Sequence, residues 1–146
     1  AEEAFRAAIE ANPKYFSPYS NLAALQVRMR SDFAAAEATY RDALSRTVPS
    51  GWFQVLGGFF RSQRALTVRQ YLLWNGLGTV LALQERFDEA MDAFQRSLDL
   101  EENPLALEWM FKLHRDAFKD EDRAQKYYTR LMELRPPRDS GHGGGS

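Results

Sequence analysis

The chain has 146 residues, 45% of them hydrophobic and 27% charged, with a net charge of -1 and no cysteine. That balance suits one folded domain or one short repeat array, and it excludes disulfides, thiolate nucleophiles and cysteine-ligated zinc. A near-neutral charge argues against duplex DNA as a partner, and no apolar run approaches the roughly 20 residues that span a bilayer.

Residues 1–12 read as a helix with Ala1, Ala4, Phe5, Ala8 and Ile9 on one face, stopped by Pro13. Ser17-Pro18 is a start signal, a capping residue followed by Pro at the first helical position. The helix that follows, over 18–30, carries Tyr19-x-x-Leu22-Ala23 and then Gln26. After Ser31-Asp32 a partner helix carries Ala36-x-x-x-Tyr40 and Ala43 and ends near Pro49. Residues 48–66 are an irregular insertion, in which Trp52, Phe53, Val55, Leu56, Phe59 and Phe60 surround Gly57-Gly58. It reads as an unpaired or broken helix.

Thr67 is a candidate cap for the next helix. Beyond it Tyr71, Leu72, Leu73, Trp74, Leu77, Val80, Leu81 and Leu83 fall close to helical spacing. Gly76 and Gly78 interrupt that run, each costing about 1 kcal/mol in a helix interior relative to Ala. Close approach of a neighbouring helix is expected to compensate. A second helix runs from Phe87 to about Leu100, with Asp88 and Glu89 at the positive end of its dipole. Asn103-Pro104 breaks the chain, and Leu105, Leu107, Trp109, Met110, Phe111, Leu113 and Phe118 follow. Asp120-Glu121-Asp122 opens the last helix, which carries Ala124-x-x-x-Tyr128, Leu131 and Met132. The tail over 137–146, rich in Gly and Ser, is read as disordered or a linker.

Trp74-x-x-Leu77-Gly78-x-x-Leu81, then Ala90-x-x-x-Phe94, then Asn103-Pro104 resembles the tetratricopeptide repeat (TPR), a 34-residue helix-turn-helix unit. The resemblance implies an all-α fold, a right-handed superhelical solenoid of antiparallel helix pairs. It divides the chain into an orphan second helix at 1–13, repeat units at 17–47, 67–103 and 104–136, and the insertion between the first two. The register supports this division: Ala36 to Ala90 spans 54 positions and Ala90 to Ala124 spans 34, so the excess lies in the insertion. Two slots depart from the family pattern. Gln26 stands where an aromatic is usual, and Lys112 falls in the small-residue slot of the last unit.

The resemblance also implies a class of work. TPR arrays commonly bind peptides in a groove lined by first helices, which places Asn75, Thr79 and Leu72 on that surface. Val27 and Arg28 would face it from the preceding unit, and Trp109 and Leu113 from the following one. Asn75 is the sharpest candidate, because an amide both donates to and accepts from an extended peptide backbone. A lysine-asparagine carboxylate clamp is not reproduced. Trp52, Phe53, Leu56, Phe59 and Phe60 form either an apolar interaction segment or core packing. No catalytic residue, metal site or cofactor is expected, since His114 stands alone on its helix and the carboxylate pairs open helices.

The expected function is therefore a non-enzymatic scaffold or adaptor with a protein or peptide partner, no nucleic acid and no membrane span. The alternatives are an assembly domain that self-associates through uncapped ends and the insertion, forming a homo-oligomer, and a regulatory fragment of a larger protein. The chain has no initiator Met and no secretory signal, the pattern of an excised segment. A cytoplasmic location is the default expectation.

Overall fold

A computed structural model of the chain describes residues 1–47 and 60–135, with the backbone alone at 47 and 60–68. Its described regular structure is helical throughout. The elements are α1 (Glu2–Ala11), α2 (Ser17–Arg30), α3 (Phe33–Thr47), α4 (Phe60–Leu83), α5 (Phe87–Leu100), α6 (Pro104–Lys112), a turn of π-helix (Leu113–Ala117) and α7 (Glu121–Leu134). They fall into two compact units, the first running through Glu102 and the second beginning at Asn103.

Local chemistry sets most of the boundaries. Asn12 adopts extended backbone, φ -145 and ψ 86, as the residue before a proline prefers, and α1 ends there. The Asp32 carboxylate accepts the Ala35 N–H at 3.0 Å and opens α3. Asn103 does the same for α6, its Oδ1 accepting the Ala106 N–H at 3.0 Å, with Pro104 in the first turn. Two expected starts move. The Phe16 carbonyl accepts the N–H groups of Tyr19 and Ser20, so α2 begins one residue earlier and Ser17 lies inside it without a side-chain cap. Thr67 is interior to α4, which already begins at Phe60. No Gly or Pro stands between Phe60 and Thr67, so nothing there stops the helix. Residues 60–66 of the expected insertion are thus helical. Trp52, Phe53, Leu56 and Phe59, and the side chain of Phe60, lie outside the described residues.

The core of the first unit is built where helices cross. Tyr19, Leu22 and Ala23 of α2 are buried, with Ala36, Tyr40, Ala43 and Leu44 of α3. Leu73, Leu77, Val80 and Leu81 of α4 and Ala90, Ala93 and Phe94 of α5 are buried as well. The two glycines of α4 mark the closest approaches. A Cβ added at Gly76 would stand 2.3 Å from the Tyr40 ring, and one at Gly78 would stand 2.8 Å from the Phe94 ring. The helix-propensity loss at each glycine is offset by ring contact that no larger residue permits.

The exits of the first helices repeat. Ser31, Glu85 and Lys119 all have left-handed backbone, with φ of 49, 60 and 55, and none is glycine. In each case the following N–H folds back to a carbonyl in the preceding helix: Asp32 to Gln26, Arg86 to Leu81, Asp120 to His114. Gln26, Leu81 and His114 therefore occupy one structural slot. Gln26 and His114 lie 88 positions apart, as do Ser31 and Lys119, and Ala36 and Ala124. The middle hairpin is one residue shorter at this exit. In the last hairpin the additional residue is accommodated by the π turn, where the Phe118 N–H reaches the Leu113 carbonyl at 3.0 Å. This corrects the sequence alignment of α6, which had been carried over from the shorter middle hairpin. The residue equivalent to Ala23 is Phe111, and Lys112 is exposed.

One charged network ties α3 to the α4–α5 turn. Glu37 accepts from Arg41 at 2.9 Å, from Gln84 at 3.1 Å and from Arg86 at 2.6 Å, while Arg86 also donates to Glu89 at 2.8 Å. Burial alone would raise the Glu37 pKa, but the hydrogen bonds from Gln84, Arg41 and Arg86 together hold it below the ordinary carboxylate value.

Two outcomes follow. Gly76→Ala and Gly78→Ala would each lower the melting temperature, because at these close ring approaches an overpacking cost toward the upper end of about 1–3 kcal/mol exceeds the propensity gain of about 1 kcal/mol. Differential scanning calorimetry reads the loss, and a rise in melting temperature at Gly76 would contradict the contact. The Glu37 contribution is present above its unfolded pKa and lost as pH falls through its lower folded pKa. Glu37→Gln is therefore expected to destabilise the chain at pH 7, with the difference from wild type shrinking as pH falls through the folded Glu37 pKa.

Candidate peptide-binding surface

The face of α4 opposite its buried stripe carries the residues of interest. Leu72 is 39% exposed and Leu83 47% exposed, with Thr79 half-buried between them. Spacings of seven and eleven residues from Leu72 return to one side of an α-helix, so the three form a single stripe. The Thr79 hydroxyl donates to the Asn75 carbonyl at 2.8 Å, which orders its side chain and leaves the oxygen able to accept. Asn75 sits at the border of this stripe and is only 6% exposed. Helical spacing in the sequence sets its angle around the helix but not how deeply its neighbours cover it.

On α2, Val27 is half-buried and Arg28 exposed, and Arg28 makes no ion pair among the described residues. Met29 beside it is 73% exposed. Met29 and Leu83 are apolar surface that the sequence reading did not single out. For Leu83 the signal was available, since it continues the Leu72–Thr79 spacing.

The second unit, taken by itself, separates its two candidates. Trp109 is half-buried, with the Lys112 ammonium 5.7 Å from the ring centroid, a cation-π contact that keeps a charge over the indole face. Leu113 is 4% exposed and belongs to the core of its hairpin with Ala106, Leu107, Met110, Ala124 and Leu131. The adjacent His114 is 3% exposed and stacks on Tyr127, centroids 5.4 Å apart and planes within 8°. Its Nδ1 is buried without a hydrogen-bond partner among the described residues. Burial lowers the His114 pKa below the ordinary value, only partly offset by Asp120, and Arg123 lowers it further.

Residues 71–104 match the family model of the tetratricopeptide repeat. The chain thus carries a tetratricopeptide repeat at 71–104. A solved structure similar to it is that of YrrB, a TPR protein with an unusual peptide-binding site. The identity is 26% and the TM-score 0.67, over 92% of this chain and 58% of YrrB. This chain thus spans little more than half the length of that relative. No curated protein matches it. The TPR fold class agrees with the all-α helical-repeat architecture of the described residues. Among those residues no helix is long and apolar enough to cross a membrane, and no group of three or more His, Asp or Glu could hold a metal ion.

The enclosure of His114 is expected to make its hairpin acid-sensitive. A histidine whose folded pKa is depressed binds its proton less readily when folded, so stability is full above the unfolded value near 6.5 and declines as pH falls below it. Replacing His114 with Phe is expected to flatten the stability profile between about pH 7 and pH 5. Urea titrations at several pH values read this. An unchanged slope in the variant would mean that His114 does not titrate as an enclosed group.

Proposed function

We propose that the chain is a non-enzymatic protein-interaction module that holds a peptide segment or a partner subunit on the exposed faces of its first helices. The observation that carries this reading is the Leu72–Thr79–Leu83 stripe, apolar and accessible on a helix whose opposite side is fully buried. Isolated exposed apolar residues are common on any surface, but an aligned row on one helix suits an apolar anchor. Val27 and Arg28 extend the surface on α2. Arg28 adds an uncompensated positive charge that would favour an acidic neighbour in the bound segment. Asn75, at the border of the stripe, supplies a backbone-directed amide once a ligand reaches it; within the second unit, taken by itself, Trp109 offers an aromatic face. The TPR match at 71–104 and the peptide-binding site of YrrB support the same class of function.

A second reading rests on a separate observation. Tyr128 is 41% exposed, whereas its register equivalents Tyr40 and Phe94 are 9% and 0% exposed, and α1 has no buried residue at all. These uncovered helices favour self-association, with the insertion as a further candidate surface.

One experiment separates the two. Peptides selected against the whole chain from a random display library would be measured against Leu72→Glu and Tyr128→Lys variants. Burying a leucine is worth about 1.5–3 kcal/mol, so Leu72→Glu should weaken a selected peptide by roughly tenfold or more, while Tyr128→Lys leaves it unchanged. Unaltered affinity in Leu72→Glu, together with loss of a dimer in Tyr128→Lys on analytical ultracentrifugation, would transfer the function to the uncovered helices.

A further inference from the structure

Between α1, α2 and α3, away from the stripe just described, lies an open cleft of about 290 Å³. At roughly 30 Å³ per water, it has room for about ten waters, the scale of a small metabolite. Its floor is the unusual member of the repeated slot. Where the next hairpin places Leu81, 1% exposed and closely packed, this one places Gln26, 7% exposed. The Thr39 hydroxyl donates to Gln26 Oε1 at 2.8 Å. The amide nitrogen, with two N–H groups, has no partner among the described residues, although Gln26 lines the cleft. The amide opens onto the cleft, whereas an apolar residue in this slot would offer nothing to a polar ligand. A ligand acceptor in the cleft can take its N–H groups.

The walls are matched in charge. α1 contributes Arg6 and Glu10, and α3 contributes Asp42 and Arg46. Arg46 donates to Asp42 at 2.8 Å through Nε, and its guanidinium also interacts with the Tyr19 hydroxyl at the cleft wall. Arg6 is drawn outward to Glu2 at 2.6 Å, so Glu10 has no ion pair among the described residues. Apolar surface comes from Ile9 and Leu22, and the floor is held in place by the Tyr19 hydroxyl, which donates to the Pro13 carbonyl at 2.9 Å. A simple anion would meet two carboxylates here, and a simple cation two guanidinium groups. A molecule carrying both charges meets neither conflict.

We propose that this cleft is a binding site for a free α-amino acid with an aliphatic side chain. The carboxylate accepts from the Gln26 amide and the Arg46 guanidinium, the ammonium donates to Glu10, and the side chain lies on Ile9 and Leu22. The site is independent of the peptide-binding reading, since it uses other faces of α1, α2 and α3.

The test is an NMR titration of the whole chain with L-leucine, leucinamide and N-acetylleucine. L-leucine should give saturable shifts at Glu10, Gln26 and Asp42 with millimolar affinity. Leucinamide lacks the carboxylate and N-acetylleucine lacks the ammonium, and each should bind at least tenfold more weakly. Gln26→Leu, which restores the apolar slot, should keep the helicity and abolish the shifts. Glu10→Gln, a change at an exposed position, should weaken leucine several-fold and decides the matter should Gln26→Leu not fold. The proposal is overturned by an absence of saturable shifts at tens of millimolar leucine, by either analogue binding as well as leucine, or by full leucine binding in folded Gln26→Leu or in Glu10→Gln.

Discussion

Ring-on-glycine contact holds the first unit together. Tyr40 lies on Gly76 and Phe94 on Gly78, so α4 is clasped from two sides by aromatic residues four positions after the buried alanines of α3 and α5. Alanine and glycine permit the approach, and the rings fill what remains. The same economy of volume recurs at Ala23, Ala36, Ala43, Ala90 and Ala93, all essentially inaccessible. Every other surface property of α4 depends on this clasp. Because its inner face is consumed by ring contacts, Leu72, Thr79 and Leu83 are left on the side that can meet a partner.

Much of this was legible in the sequence because it is local. The stop at Pro13, the capped break at Asn103-Pro104 and the compensated glycines each depend on a few neighbouring residues, and all stand where spacing and chemistry put them. What was not legible depends on counts that side-chain identity does not carry. Thr67 looks like a cap, yet the helix passes through it because nothing upstream interrupts it. Lys112 falls in the small-residue slot only on a fixed 34-residue period, and the exit of the last hairpin is one residue longer than that of the hairpin before it. Depth was equally hidden. Asn75 and Leu113 lie on first helices as expected, but their enclosure follows from tertiary neighbours, which periodicity does not reveal.

The shared slot of Gln26, Leu81 and His114 shows how a repeat fold differentiates. The backbone around the three is alike, each carbonyl receiving the N–H that closes the helix exit. The side chains diverge: an amide under a cleft, a leucine in the core, an imidazole stacked on tyrosine. Thr39, the partner of Gln26, and Tyr127, the partner of His114, are also 88 positions apart, so the pairs vary together at fixed geometry. Polar substitution at a core position is normally costly. Two occurrences in three hairpins place distinct chemistry on one scaffold.

The three helix exits have a consequence for the chain's reserve of stability. Ser31, Glu85 and Lys119 hold a backbone shape that disfavours any residue bearing a Cβ, at a cost of about 1–2 kcal/mol each. Glycine would relieve that strain at all three points, less its own larger entropy in the unfolded chain. The chain therefore keeps three independent routes to greater robustness, each a single substitution away and none touching the surfaces argued to bind.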